Sequence, residues 1–239
     1  MKLNRLSSLL FVLAALACFS GAALAADAKT KPAKPAKPEA ASASVSDAAL
    51  KAIDAQITAA KIDKKSPGWK SKLPKPTAVK FVKGHHYLWH MVTNKGTMVF
   101  EFKPEAAPMH VTSFIYLTRM GFFDGLSFHR VIKGFMAQGG DPQGDGRGGP
   151  GYQYDGEVSP TVKHDKPGVL STANAGPNTD GSQFFVMFKA YPSLDMHYSI
   201  FGELTEGLET LNAIQAAANP GDGPPLQPLT ITKATVDVK

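Results

Sequence analysis

Arg130 is the residue whose surroundings most demand a chemical explanation. It lies in Phe128-His129-Arg130-Val131-Ile132, which reads as a β-strand, so Phe128, Arg130 and Ile132 are expected on one face. Phe135, Met136 and Gln138 follow closely. A guanidinium in apolar company is costly unless its donors are used. It can make a structural ion pair, send its head to water, or donate to something bound. A second mixture runs from Gly168 to Phe185, GVLSTANAGPNTDGSQFF. There Ser171, Asn174, Asn178, Ser182 and Gln183 alternate with small residues ahead of Phe184-Phe185. Small residues let a bound backbone come close, and amides can pair with its N–H and C=O groups. A turn-rich loop with internally satisfied polar groups would carry the same residues.

The elements that must position these segments are short. His86–Val92 and Thr97–Phe102 are strand-like, with Asn94-Lys95-Gly96 as hairpin turn chemistry between them. Pro108 sits near the start of a helix with Val111, Phe114, Ile115 and Leu117 on its apolar face, closed by Gly121. A second helix is expected near Leu208, Leu211 and Ile214, stopped by Asn219-Pro220, and a last strand over Thr230–Val238. Short strands with two separated helices point to a closed antiparallel β structure.

Taken together, the two chemical segments are specific. FHRVIKGFMAQGGDP and LSTANAGPNTDGSQFF resemble the two signature blocks of the cyclophilin family, with matching spacing. MHVTSFIYLTRMGFFDGLSFHRVI resembles its first helix and following strand, and HYSIFGELTEG its closing strand and turn, so the likeness covers roughly residues 90–239. It implies a mainly β fold: a closed antiparallel β-barrel of about eight strands capped by two α-helices, with the site in a groove on the outer face. It implies peptidyl-prolyl cis–trans isomerase activity on proline-containing polypeptides, without cofactor or metal. Arg130, Phe135 and Gln138 take the catalytic positions. Met136, Ala173, Asn174, Gln183, Phe185, Leu194 and Tyr198 take the substrate-binding ones. Two positions depart from the family: Ser193 stands where well-studied members have Trp, and Tyr198 where they have His. The first argues against tight cyclosporin binding; the second keeps an aromatic wall with a polar tip. Rotating an X-Pro bond costs about 18–20 kcal/mol because nitrogen shares its lone pair with the carbonyl. In the twisted transition state the lone pair returns to nitrogen, and Arg130 is assigned to donate to it.

The rest of the chain reads as packaging and delivery. Lys2 and Arg5, an apolar run from Leu9 to Leu24 and Ala23-Leu24-Ala25 make residues 1–25 a secretory signal peptide. The alternatives are a retained anchor, for which the run is short, and lipidation at Cys18. Cys18 is the only cysteine, so the processed chain has no disulfide to form. Residues 26–84 read as a Lys/Pro/Ala-rich disordered extension with a short helix carrying Leu50, Ile53, Ile57 and Ala60 on one face. The isomerase domain is expected over 85–239. Thirteen lysines face four acidic residues over 29–83, whereas 11 basic residues face 15 acidic ones from His85 onward. The basic charge therefore belongs to the extension, which argues against nucleic-acid binding. The extension is expected to be a solvated spacer, with weak contact to an anionic surface as the alternative. A periplasmic or otherwise exported monomer without a membrane span is expected. Gly144–Gly149 satisfies G-x-G-x-x-G, but Pro150-Gly151 follows where a dinucleotide site needs a helix.

Overall fold

The computed structural model describes residues 47–239. The expected signal peptide over 1–25 and the 26–46 part of the extension lie outside them. Helix α1 (Ala48–Ala60) starts at Asp47, whose carboxylate accepts the Leu50 N–H at 2.8 Å. The same carboxylate accepts the Tyr87 hydroxyl at 2.7 Å and meets His85 Nδ1 at 2.8 Å, tying α1 to the strand that follows. That strand, β1 (Tyr87–Thr93), forms the expected hairpin with β2 (Gly96–Phe102), with Thr93 opposite Gly96. Helix α2 (Pro108–Arg119) begins on proline at its first turn and is followed by Gly121 at φ 72°.

Four short strands carry the chemical segments: β3 (Arg130–Ile132), β4 (Met136–Gly139) and, beyond a long loop, β5 (Val169–Thr172) with β6 (Phe184–Met187). The chain closes with β7 (Ile200–Glu206), α3 (Leu208–Ala216) and β8 (Ile231–Val238). All eight strands form one antiparallel sheet in the order β3-β4-β6-β5-β7-β2-β1-β8.

The sheet is a curled half-barrel, not the closed barrel expected. On the free edge of β3, Val131 N–H donates to Gly223 O at 2.9 Å and Ile132 makes an isolated bridge to Asn219. The 219–223 loop therefore occupies the edge where a closing strand would pair. Only an isolated Ser127–Thr230 bridge and hydrogen bonds such as Phe128 N–H to Leu229 O (2.9 Å) span from there to the start of β8.

A second correction concerns the extension. Of residues 26–84, the described part, 47–84, carries the expected helix as α1 and is fitted to the body rather than disordered. Ala49, Ile53 and Leu73 are buried in the main core. The reason lies in α2, which is buried without interruption from His110 to Thr118. A helix buried on every side must be covered on its outer side as well, and α1 packs against it.

The main core fills the concave side of the sheet. Trp89 is fully buried, with Phe100, Phe102, Phe114, Phe123 and Phe184 all within 5.8 Å of its ring centroid. Strand alternation divides each strand of the signature segments between this core and the opposite face. Val131, Ala137, Val186 and Leu170 form one cross-strand row into the core. Arg130, Gln138, Phe185 and Ser171 form the neighbouring row on the outer side.

Candidate active site

That outer row is the frame of the site. The strand begins only at Arg130, so Arg130 and Ile132 share the outer face while Phe128 turns into the main core. This corrects the expectation that Phe128, Arg130 and Ile132 lie together, since alternation applies only within the strand itself. A second apolar cluster lies on the outer side. Met136, Phe185, Val169, Met187 and Ile200 are its floor, and Phe135, Leu194, Tyr198, Ala173 and Ile132 pack around them. Tyr198 meets the edge of Phe185 at 5.6 Å between ring centroids. Six of the expected site residues therefore converge on one outer-face apolar cluster: Phe135, Met136, Ala173, Phe185, Leu194 and Tyr198.

The other expected residues line its polar side. Gln138 donates from Nε2 to Gln183 Oε1 at 2.9 Å, and Gln183 Nε2 is held by the carbonyls of Gly146 and Gly148 at 3.0 and 2.9 Å. This fixes both amides, so that Gln138 Oε1 faces Arg130 Nη1 at 3.4 Å. Gln138, Gln183, Ala173 and Asn174 also line an adjoining groove of about 770 Å³. Asn174 spends its side-chain amide on Asp180 Oδ1 at 2.8 Å, which leaves its backbone to face a ligand.

Arg130 is not shielded from solvent. Its side chain is 38% exposed, and its Nε and Nη2 donate to the two oxygens of Asp222 at 2.6 Å each. The hydrogen bonds to Asp222, set against burial, hold the guanidinium still more firmly in its charged form. The two non-catalytic readings of Arg130, ion pair and hydrated head, are thus both part of what is seen. The fork pair uses one edge of the guanidinium, however, and leaves Nη1 outside it, with only the long contact to Gln138 Oε1 at 3.4 Å. Asp222 was missed because nothing in Asn219-Pro220-Gly221-Asp222-Gly223 fixes which strand the loop will cover.

Two buried histidines brace this frame. His164 Nε2 meets Ser171 Oγ at 2.8 Å and His164 Nδ1 meets Asp195 Oδ1 at 3.0 Å. That is the hydrogen-bond order of an acyl-transfer triad, but His164 and Ser171 are fully buried and no substrate can reach them. The arrangement instead fixes the loop carrying Leu194 and stacks the imidazole 6.1 Å from Phe185. His110, also fully buried, lies between Glu157 Oε2 at 2.6 Å and Asp180 Oδ2 at 2.9 Å. It therefore links α2 to the loop that holds Asn174.

The two histidines respond to pH in opposite directions. Burial pushes the His110 pKa down, but the Asp180 and Glu157 carboxylates outweigh it and leave the value above the ordinary 6.5. Burial also dominates at His164, where Asp195 only partly compensates and the value falls below 6.5. His110 thus contributes its full stabilisation below about pH 6.5, and loses it as pH rises through the raised folded-state value. His164 contributes above about pH 6.5 and loses its share as pH falls through the lowered folded-state value. Replacing His110 by Gln is expected to remove the alkaline loss. Urea titrations of wild type and His110→Gln at pH about 6 and about 9 check this; an unchanged slope in the variant contradicts it.

Among the described residues no group of three or more His, Cys, Asp or Glu is arranged to hold a metal ion. No helix among them is long and apolar enough to cross a membrane.

Comparison with known proteins matches this geometry. The family model for cyclophilin-type peptidyl-prolyl cis-trans isomerases fits residues 88–236. Peptidyl-prolyl cis-trans isomerase-like 1 of Gibberella zeae is 41% identical over 147 residues, spanning 60% of this chain and 91% of that protein. The probable peptidyl-prolyl cis-trans isomerase A of Mycobacterium leprae is 48% identical over 117 residues, spanning 48% of this chain and 64% of that protein. A crystal structure of a Cryptosporidium parvum cyclophilin-type isomerase superposes with a TM-score of 0.61 at 36% identity, covering 63% of this chain and 97% of the other. A crystal structure obtained in the presence of the dipeptide Ala-Pro gives 0.60 at 37%, covering 62% and 98%. Eight antiparallel strands, the outer-face apolar cluster and these matches make the chain a member of the cyclophilin-type peptidyl-prolyl cis–trans isomerase family.

Proposed function

We propose that this isomerase is exported and rotates X-Pro bonds in unfolded or flexible segments of envelope proteins, as a monomer, with Arg130 as its catalytic donor. The observation that carries the mechanism is Arg130 Nη1, which stays outside the Asp222 pair and reaches only Gln138 Oε1 at 3.4 Å, in the same cross-strand row as Phe185, whose apolar cluster with Met136 supplies a hollow for proline. The proline ring enters that hollow against Phe135, Phe185, Leu194 and Tyr198. The flanking backbone runs along Gln138, Gln183 and the main chain of Asn174. A planar prolyl nitrogen offers Nη1 no lone pair; a twisted one does. Binding that appears only as the bond leaves planarity lowers the barrier. The step needs neither a nucleophile nor proton transfer. The Ala-Pro dipeptide used with the C. parvum relative supports a small residue before proline as the reference substrate.

Asp222 acts as a positioning residue here. Its fork pair sets the plane of the guanidinium while leaving the reactive edge open. Both partners are substantially exposed, so losing the pair is expected to change stability by no more than about 1 kcal/mol. Asp222→Ala should instead lower kcat on an Ala-Pro peptide while leaving KM near wild type, and Asp222→Asn should recover part of the loss. Equal kcat values in all three proteins would show that the pair is structural only.

The protease-coupled assay on an Ala-Pro peptide tests the activity itself: faster release than the uncatalysed rate is expected. Background rates with retained peptide binding would make the chain a peptide-holding module. Export rests on the charged head, apolar run and Ala-Leu-Ala of residues 1–25. N-terminal sequencing of the protein from an extracytoplasmic fraction should begin at Ala26. A first residue upstream of this would contradict cleavage there.

A further inference from the structure

The groove beside the prolyl hollow is not built wholly by the segment that matches the family. Ser71 lines it, although the match begins at residue 88. Ser71 belongs to a short 3-10 turn, Trp69–Ser71, in the strap leading from α1 to β1. The strap is fastened on both sides of that residue. Lys70 Nζ donates to Asp124 O at 2.8 Å, and Leu73 N–H donates to Pro150 O at 2.9 Å with its side chain buried. Gly151 packs directly beneath. A Cβ there would lie 2.7 Å from Ser71 O and 2.9 Å from Leu73 N, at a φ of 99° that disfavours any side chain. The loop so held is the one whose Gly146 and Gly148 carbonyls fix Gln183, and through it Gln138. The strap is thus continuous, contact by contact, with the frame that faces Arg130.

The lining chemistry of this groove says what it accepts. Glycines and alanines form much of its wall, with amides and hydroxyls between them, so an extended backbone can lie close. Arg147 is the one charged side chain among the lining residues. Neighbouring Asp145 uses a carboxylate oxygen to accept the Arg147 backbone N–H at 2.9 Å. No ion pair to the Arg147 side chain is present among the described residues.

We propose that Ser71 and Arg147 form a specificity site in which the strap closes the outer end of the groove and Arg147 selects an acidic side chain flanking the X-Pro bond. The inference rests on the isomerase reading for its substrate, but its test separates the two. Full-length protein is given Ala-Pro peptides carrying Glu, Gln or Lys at each of three positions on either side of the pair. Both turnover and fluorescence-anisotropy affinity are measured. At one flanking position Glu is expected to be favoured over Lys by about two- to five-fold, the scale of a partly exposed ion pair. Arg147→Gln should bring that ratio to about one. Ser71→Glu should lower it and Ser71→Lys raise it; opposite shifts at one residue cannot come from misfolding.

A wild type with no Glu preference in either measurement overturns the inference, as does a preference untouched by both Ser71 variants. A preference seen in affinity without any turnover would uphold this site and overturn the isomerase reading instead.

Discussion

Arg130→Ala is expected to lower kcat/KM for an Ala-Pro peptide by about 10²–10³-fold, the usual cost of removing one preorganised transition-state donor. The prediction follows from geometry. Two donors of the guanidinium are committed to Asp222, and what remains for substrate is the Nη1 edge beside Gln138. Alanine removes that edge while leaving the hollow floored by Met136 and Phe185 intact, so the proline ring should still bind. The loss should therefore fall on kcat, with KM nearly unchanged. Arg130→Lys is a sharper version. A lysine carries the charge but no fork to hold on Asp222, so it should recover only a small part of the rate. Stability should shift by less than about 1 kcal/mol in either variant, because the Arg130–Asp222 pair is exposed. Coupled assays over a peptide concentration series check the split. A large rise in KM at constant kcat would make Arg130 a binding group only.

The largest effect on stability is expected at Trp89. Truncating it to alanine should cost about 3–5 kcal/mol, the range for a buried aromatic. That is a large fraction of the roughly 5–15 kcal/mol by which domains are stable. Trp89 stands at the centre of the core, where Phe100, Phe102, Phe114, Phe123 and Phe184 pack around it. These come from β2, α2, the segment after α2 and β6, so one cavity would loosen contacts across most of the sheet. Phe184 also precedes Phe185 of the hollow, and its displacement would reach the site. Trp89→Phe should cost distinctly less. The ring is mostly kept, and the indole Nε1, which is buried without a hydrogen-bond partner, is removed with its desolvation penalty. Urea unfolding of the three proteins measures both differences. A Trp89→Ala midpoint close to wild type would show that the core can close over the gap.

The parts of this molecule that were legible in its sequence are those with a local signal. The Asn94-Lys95-Gly96 turn and Pro108 at the head of α2 each depend on a few consecutive residues. The residues that gather on the outer face were legible because the two signature segments contain most of them. What escaped depends on contacts between distant segments. The open edge of β3 is set by a loop some ninety residues downstream, and no local pattern states that Asn219–Gly223 will take the place of a strand. Asp222 escaped for the same reason. Phe128 escaped because its strand starts two residues later than its composition implies.

The ordered strap over 61–84 is the most instructive difference. Its lysines and prolines read as a spacer, yet Leu73 and Pro76 are buried. The clue lay elsewhere, in α2. Met109–Thr118 contains no Asp, Glu, Lys or Arg, and that helix, without a charged face, is buried from His110 to Thr118. Composition judged segment by segment cannot show that one segment's uncharged face is another segment's docking surface.

The most direct test of the account is the isomerisation rate of the enzyme-bound peptide. Exchange NMR on an Ala-Pro peptide, with wild type and Arg130→Ala each at saturating concentration, reads that rate apart from affinity. Similar dissociation constants are expected, with an on-enzyme rate lower by about 10²-fold or more in the variant. Equal on-enzyme rates would contradict it, because the bond would then rotate without the arginine.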